Sequence, residues 1–146
     1  DPQSRNNILD GIKKLRDDGA TIIYTTHYME EAEILCDRII ILDKGKIIAE
    51  GTSDELKKMA NIEEKVTVEL KHANPKIIED IKNSKNVDNV SLNDNVLVVT
   101  YKKGNNNLGK LIEYLKDNKI SYEKIFSERP SLNDVFLELT GKELRD

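Results

Sequence analysis

The chain has 146 residues, of which 34% are charged and 38% hydrophobic, and its formal net charge is −4. The mean hydropathy is −0.57, and no apolar run approaches the ~20 residues of a membrane-spanning helix, so we exclude a transmembrane segment. The acidic balance also argues against nucleic acid as a partner, because phosphate binding requires a basic surface.

The first elements follow from local patterns. Asp1 followed by Pro2 is typical of a helix start, and apolar residues at helical spacing up to Gly19 predict a helix of about sixteen residues. The β-branched run 20–26 then predicts a parallel strand buried on both faces. A second helix is expected from about Tyr28 to Cys36, with the single cysteine as small core filler and not as a reactive thiol.

A β-hairpin and a short helix come next. Asp37 and Arg38 mark a break, to which we assign a structural role. The apolar run 39–42 predicts a buried strand, which a tight turn joins to an antiparallel strand. Thr52 with Glu55 is a capping-box pattern and predicts a short helix through about Met59. The predicted turn covers residues 43–45, and the returning strand covers residues 46–50.

A charge cluster without an apolar face, residues 61–65, marks a domain boundary, so we expect domains at 1–61 and 62–146. The second domain reads strand, helix, strand, strand, helix, strand, which is the order of the ferredoxin-like split βαβ motif. A terminal helix is predicted by the capping pattern of Ser131 and Asp134 and by Gly141 as its stop. The six predicted elements of the motif are 66–71, 75–82, 87–92, 96–101, 108–117 and 121–126.

His27 lies where the predicted strand gives way to a helix, among Thr26, Tyr28 and acidic residues. In an open α/β sheet the carboxyl end of a strand is where ligands bind, so this point is a candidate nucleotide site. The structural alternative is a histidine that merely ends a strand. A metal site with Glu30 lacks further ligands, because His72 lies in the other predicted domain, where we expect it on the surface.

The stretch from Thr21 to Thr52, TIIYTTHYMEEAEILCDRIIILDKGKIIAEGT, follows an Asp1-Pro2 start. Together they resemble the final third of an ATP-binding cassette (ABC) ATPase, beginning inside the D-loop. The ending RPSLNDVFLELTGKEL, from Arg129 to Leu144, resembles the extension of antibiotic or multidrug exporters that pair with a separate permease. The implied fold is α/β: the C-terminal part of a P-loop NTPase nucleotide-binding domain, then a ferredoxin-like domain with a terminal helix.

The resemblance implies roles for two residues. His27 corresponds to the switch histidine of the H-loop, which contacts the γ-phosphate of ATP and helps to position the attacking water. An imidazole suits this task because it can donate a hydrogen bond to a phosphate oxygen at neutral pH. Asp1 corresponds to the D-loop aspartate, which couples the two nucleotide sites of a dimer. The full-length parent would use ATP and Mg²⁺.

Several motifs of the family are missing from this sequence: the GxxxxGK[ST] loop, the Walker B acid, the catalytic glutamate and the signature motif. We therefore expect the chain alone to be inactive and to be cut from a longer protein, since it opens without a methionine. The implied parent is an ATPase that lies on the cytoplasmic face of the cell membrane and energises export through a permease. The permease chooses the substrate, so this chain cannot identify it.

Alternatives remain open. The chain can be a non-enzymatic regulatory or dimerisation module, and the second domain can serve homodimerisation or ligand sensing, of which we favour dimerisation or regulation. The acidic residues Glu30, Glu31 and Glu33 are interpreted as a solvated face at a helix start, with contact to a transporter subunit as the alternative. A strand at 20–26 without neighbours would expose an apolar edge, which predicts self-association by edge pairing or by exchange of the first helices.

Overall fold

The computed structural model describes residues 1–141. The chain divides into two compact units. The first unit contains residues 1–60 together with the segment from residue 131, and the second contains residues 61–130. No helix within residues 1–141 is both long and apolar enough to cross a membrane.

The first unit begins with two helices. Helix α1 spans Pro2–Asp17, and the backbone N–H of Gln3 donates to Oδ1 of Asp1 at 3.2 Å, as a helix cap should. Gly19 has φ +99°, so the left-handed stop predicted after this helix is confirmed. Helix α2 spans Met29–Leu35 and is slightly shorter than predicted.

The strand predicted at 20–26 is wrong. Residues 18–28 form neither helix nor strand, and Ile23, which the strand would have buried, is 94% exposed. A parallel strand needs neighbours to pair with its backbone N–H and C=O groups. None of the strands in the described chain pairs with this segment. The self-association expected from edge pairing of this strand therefore loses its structural basis.

The predicted hairpin is present. Strands β1, Ile39–Asp43, and β2, Lys46–Gly51, pair antiparallel. Both residues of the turn 44–45 have positive φ, 49° and 73°, which is the geometry that matches the twist of the flanking strands. Arg38 donates to Oε1 of Glu50 from Nε at 2.9 Å and Nη2 at 2.7 Å, so it ties the start of β1 to the end of β2.

Helix α3, Ser53–Met59, starts at the predicted capping box. The backbone N–H of Glu55 donates to Oγ1 of Thr52 at 3.2 Å, and the Thr52 N–H donates to Oε2 of Glu55 at 3.4 Å. Leu56, one turn into the helix, is fully buried. The reciprocal cap therefore directs this apolar residue into the core of the first unit.

Helix α6, Leu132–Thr140, has the predicted capping box and ends at Gly141 with φ 65°. The prediction placed this helix in the domain 62–146, whereas the structure packs it on the first unit, because its apolar face completes that unit's core. The end of the motif that resembles an exporter extension, residues 142–144, lies outside the described residues. The buried core consists of Ala32, Ile39, Ile41, Leu56, Ala60, Leu132 and Val135.

The second unit is a four-stranded sheet with two helices. Its elements follow the predicted order of strand, helix, strand, strand, helix, strand, and every neighbouring pair of strands is antiparallel. The strands lie in the order β4-β5-β3-β6. The bounds are β3 Glu64–Leu70, α4 Lys76–Lys82, β4 Val87–Asn93, β5 Val96–Tyr101, α5 Asn107–Asp117 and β6 Tyr122–Glu128.

Alternation along these strands separates two faces. One face packs against α4 and α5 and forms a core that contains Val66, Val68, Leu97 and Val99, all fully buried. We call the opposite side the outer face. It is mostly polar, and Phe126 stands out on it with 47% exposure. The outer face contains Lys65, Thr67, Glu69, Asn89, Ser91, Asn93, Val96, Val98, Thr100, Lys124, Phe126 and Glu128.

Candidate functional site

His27 lies on the turn that joins the irregular segment 18–28 to α2. Its imidazole is exposed, and its ring centroid lies 4.2 Å from that of Tyr28, with 34° between the ring planes. The predicted position next to a helix start therefore agrees with the structure, although no strand precedes it. A ligand can reach the imidazole from the solvent side.

Glu31, in the first turn of α2, organises the segment before it. Its side chain is only 9% exposed. Oε2 accepts hydrogen bonds from the Tyr24 hydroxyl at 2.8 Å and from Oγ1 of Thr26 at 2.9 Å, and Oε1 accepts one from Nε of Arg5 at 2.7 Å. Side-chain hydrogen bonds to one carboxylate thus stabilise a segment that has no strand ladder.

The same cluster restrains the residues on both sides of His27. Oγ1 of Thr26, which donates to Glu31, also accepts the backbone N–H of Tyr28 at 2.9 Å. The Arg5 guanidinium lies 4.3 Å from the centroid of the Tyr28 ring, which is a cation–π distance. Through Arg5, the turn that carries His27 is therefore fastened to α1.

The charges in this cluster are complementary. Burial alone would raise the pKa of Glu31, but the hydrogen bonds from Tyr24, Thr26 and Arg5 outweigh it and lower the pKa below the usual value. The hydrogen bond to Glu31 in turn raises the pKa of Tyr24 and of Arg5. At neutral pH the carboxylate is ionised, while the hydroxyl and the guanidinium keep their protons.

The prediction of a solvated acidic face on α2 is wrong for two of its three residues. Glu30 is exposed, but Glu31 is buried in the cluster described above. Oε1 of Glu33 accepts from Nζ of Lys57 at 2.7 Å and from the backbone N–H of Leu132 at 3.3 Å. The physical reason is that α2 packs against α1 and the segment 18–28 on one side and against α3 and α6 on the other. Glu31 and Glu33 accept the hydrogen bonds of donors on these two sides.

Asp1, the other candidate residue, has a local role in the structure. Its Oδ1 accepts from the Gln3 N–H, and its Oδ2 accepts from Oγ of Ser4 at 3.0 Å. Both contacts lie within the first turn of α1, and neither involves His27. Asp1 is exposed, so part of its carboxylate remains open to solvent.

The remaining candidates are Cys36 and His72. Cys36 is half-buried beside the core of the first unit, and burial raises the pKa of its thiol, which suits the predicted filler role. His72 is exposed, as predicted. Within residues 1–141, no group of three or more His, Cys, Asp or Glu side chains could hold a metal ion.

The second unit contains an open cleft of about 300 Å³ near the start of α5. Its lining has no histidine, cysteine or aromatic ring, and three carboxylates dominate it. The cleft is open to solvent, and its lining is mostly polar. The cleft is lined by Glu63, Glu64, Gly104, Asn107, Ser127, Glu128 and Arg129.

A comparison with protein families settles the kinship of the chain. The profile of the family described as "ATP-binding protein DrrA1-3-like, C-terminal domain" matches residues 51–140. The chain belongs to this family. The match spans α3, the whole second unit and α6, and it confirms the resemblance to ABC ATP-binding proteins of the antibiotic-exporter type.

Relatives with established names match the chain over nearly its whole length. The linearmycin resistance ATP-binding protein LnrL of Bacillus subtilis is 34% identical over 148 residues, which cover 100% of this chain and 48% of the relative. The daunorubicin resistance ATP-binding protein DrrA3 of Streptomyces coeruleorubidus is 32% identical over 145 residues, 99% of this chain and 46% of the relative. The Nod factor export ATP-binding protein I of Rhizobium etli is 32% identical over 147 residues, 99% of this chain and 43% of the relative. The chain thus spans slightly less than half the length of these relatives.

Proposed function

We propose that this chain is part of the ATP-binding subunit of an ABC exporter, and that ATP hydrolysis by the complete subunit drives export through a membrane permease. One observation carries the proposal: the exposed His27 stands on a turn whose flanking residues are fastened by a buried carboxylate. The relatives named as ATP-binding proteins of drug resistance and of Nod factor export support it.

His27 is the proposed switch residue. Phosphoryl transfer to water depends mainly on positioning and on stabilisation of charge, and an imidazole donor aimed at the γ-phosphate contributes to both. The restraint of Thr26 and Tyr28 limits the conformations of His27 before nucleotide arrives. The entropic cost of placing the donor is therefore lower than it would be on an unrestrained turn.

Asp1 is the proposed coupling residue between the nucleotide sites of two copies. It caps α1, and Arg5 on the same helix reaches Glu31, whose partner Thr26 precedes His27. A shift of α1 at a subunit interface would thus change the position of the histidine turn. This chain of contacts supports a coupling role for the first helix.

The fit to ATP is partial. The exposed imidazole suits a phosphate oxygen, but the sequence contains no GxxxxGK[ST] loop to surround the phosphates. We therefore assign ATP and Mg²⁺ to the full-length subunit, and we expect the chain alone to be inactive. We also assign the first unit to a P-loop NTPase nucleotide-binding domain.

The second unit is the proposed ferredoxin-like domain. The strand order β4-β5-β3-β6 and the packing of both helices on one face support this assignment. The proposed partners are a membrane permease and a second copy of the subunit, with the protein on the cytoplasmic face of the cell membrane. We favour a regulatory or dimerisation role for this unit over ligand sensing, by analogy with other domains of this fold.

The switch role is tested with His27→Ala in the full-length protein, compared with His72→Ala, which removes the other histidine of this chain. We expect ATP hydrolysis by His27→Ala to fall by about 100-fold or more, the usual loss when one transition-state donor is removed. Nucleotide affinity should change far less, and His72→Ala should behave as wild type. If His27→Ala hydrolyses ATP at the wild-type rate, the switch role is wrong.

A second experiment tests whether the 146-residue chain binds nucleotide by itself or is a non-enzymatic module of the complete subunit. ATP is titrated by calorimetry into the 146-residue chain and into the full-length protein. We expect only the full-length protein to bind. If the short chain binds nucleotide or another small ligand through residues beyond 62, the second unit is a sensor and our ranking of its roles is wrong.

A further inference from the structure

Strand β6 is an edge strand with a regular outer edge. In the order β4-β5-β3-β6 it has a neighbour on one side only among the described strands. From Lys124 to Glu128 it pairs with β3 without interruption, and the one irregularity lies between Glu69 and Leu70, at the start of β6. The outward N–H and C=O groups of residues 124–128 are therefore arranged to pair with another strand.

The side chains on this edge form a short pattern with charges at its ends. Lys124, Phe126 and Glu128 alternate onto the outer face, and all three are exposed. Within residues 1–141, neither Lys124 nor Glu128 belongs to an ion pair. Phe126, between them, keeps 47% of its surface exposed.

We propose that β6 pairs antiparallel with β6 of a second copy of this chain, with the two-fold axis at Phe126. In that register the two Phe126 rings face each other, and Lys124 of each copy lies opposite Glu128 of the other. An aromatic pair and two opposite-charge pairs are favourable cross-strand neighbours. The contact is isologous, as a closed dimer requires, and it joins two four-stranded sheets into one continuous sheet.

The register follows from the pattern. If the axis passes through Ile125, Lys124 lies opposite Phe126, and if it passes through Ser127, Phe126 lies opposite Glu128. Both alternatives lose the two charge pairs and the aromatic pair. If the axis passes between two residues instead, the outer face of one copy lies beside the helix-bearing face of the other. Only the axis at Phe126 satisfies all three outer-face side chains.

The other edge of the sheet is less suited to pairing. Strand β4, like β6, carries one irregularity at its start, between Val87 and Asn89, so the two edges differ in their side chains and not in their regularity. The outer-face side chains of β4 are Asn89, Ser91 and Asn93, which offer no pair of opposite charges. The comparison of the two edges therefore selects β6.

The inference rests on the proposed function for the expectation of a second copy. It adds the strand that contacts that copy. Its test involves neither nucleotide nor hydrolysis. A failure here would leave the His27 prediction untouched, and a failure of the His27 prediction would leave β6 pairing untouched.

The first test is disulfide trapping in the 146-residue chain with Cys36→Ser, so that the introduced cysteine is the only thiol. Cysteines at Phe126 would lie directly opposite each other across the axis, within the range in which a disulfide can form. Val96→Cys, also exposed on the outer face but on β5, is the matched control. Under mild oxidation we expect the Phe126→Cys dimer to exceed the Val96→Cys dimer by about tenfold, since only directly opposed cysteines are within reach.

The second test adds Lys124→Glu or Glu128→Lys to the Phe126→Cys chain. Each variant alone sets like charges opposite each other twice, so its cross-link should fall by about tenfold. In a mixture of the two variants both charge pairs become complementary, and the heterodimer, identified by mass, should form at the parent yield.

The mixture also controls for folding, because each variant has the same fold alone as in the mixture, and circular dichroism checks that fold. Pairing through β6 is refuted if Phe126→Cys traps no more dimer than Val96→Cys. It is also refuted if the mixture forms no more heterodimer than the homodimer yield of either variant.

Discussion

The carboxylate of Glu31 is buried, and hydrogen-bond donors occupy both of its oxygens. A buried charge is tolerable only under that condition, because an unpaired one loses its hydration without compensation. The position of Glu31 in the first turn of α2 adds the favourable field of the helix dipole. This residue therefore stabilises the histidine turn without contacting His27.

Replacement of Glu31 by Gln should reveal this contribution. The amide oxygen can still accept from the hydroxyls of Tyr24 and Thr26, but the ionic contact with Arg5 is lost, so the free energy of unfolding should fall by about 1 to 2 kcal/mol at pH 7. Because the fold lowers the pKa of Glu31, its contribution is fully present above the unfolded pKa and disappears as the pH falls through the folded pKa. Urea denaturation at a series of pH values from pH 7 downward should therefore show the difference between wild type and Glu31→Gln shrinking once the pH falls below the usual glutamate pKa.

Glu30→Gln is the matched control, since Glu30 is the exposed neighbour in the same helical turn. It should leave the urea midpoint nearly unchanged at every pH. Equal effects of the two substitutions, or a difference that does not shrink as the pH falls, would contradict the assigned role of Glu31.

The inward orientation of Glu31 could have been predicted from the sequence. Glu31 precedes Leu35 by four positions, so both lie on one side of α2, and Leu35 is buried. That spacing could have marked Glu31 as an inward-facing acid. Its partners could not be predicted, because Tyr24 and Thr26 belong to a segment whose conformation depends on the carboxylate itself.

At the scale of elements, the predictions succeeded where the signal is local and failed where it is not. The helix caps at Asp1, Thr52 and Ser131 each depend on residues within one turn, and all three are present. The strand at 20–26 depends on hydrogen-bond partners distant in sequence. A β-branched composition therefore favours a strand but cannot form one without those partners.

The capping box of α3 gives a direct test of a local signal. Thr52→Ala removes the hydroxyl that accepts the Glu55 N–H, and the usual cost of losing such a cap is about 1 kcal/mol. Thr21→Ala, at an exposed site in the irregular segment, should cost almost nothing. Urea denaturation followed by circular dichroism measures both, and equal midpoints for the two variants would show that the cap adds no stability.

At the scale of the whole molecule, the residues of the second unit lie, in sequence, between α3 and α6 of the first unit. The prediction grouped α6 with residues 62–146 because they are continuous in sequence, and no local pattern states where a helix will dock. The apolar face of α6 decides which unit the helix joins, since Leu132 and Val135 are fully buried beside Leu56. The capping box predicted the helix, and only the packing revealed its unit.

The assignment of α6 to the first unit predicts which amides lose protection when a core residue of this helix is replaced. Leu132→Ala should cost about 2 to 5 kcal/mol in the first unit, because it leaves a cavity in a fully packed core. In native-state hydrogen exchange, amides of β1 in the same core should lose protection, while amides of β5 in the second unit should keep theirs. Leu139→Ala, on the same helix but 38% exposed, is the control and should change neither set. If Leu132→Ala lowers the protection of β5 as much as that of β1, α6 stabilises both units together and its assignment to the first alone is wrong.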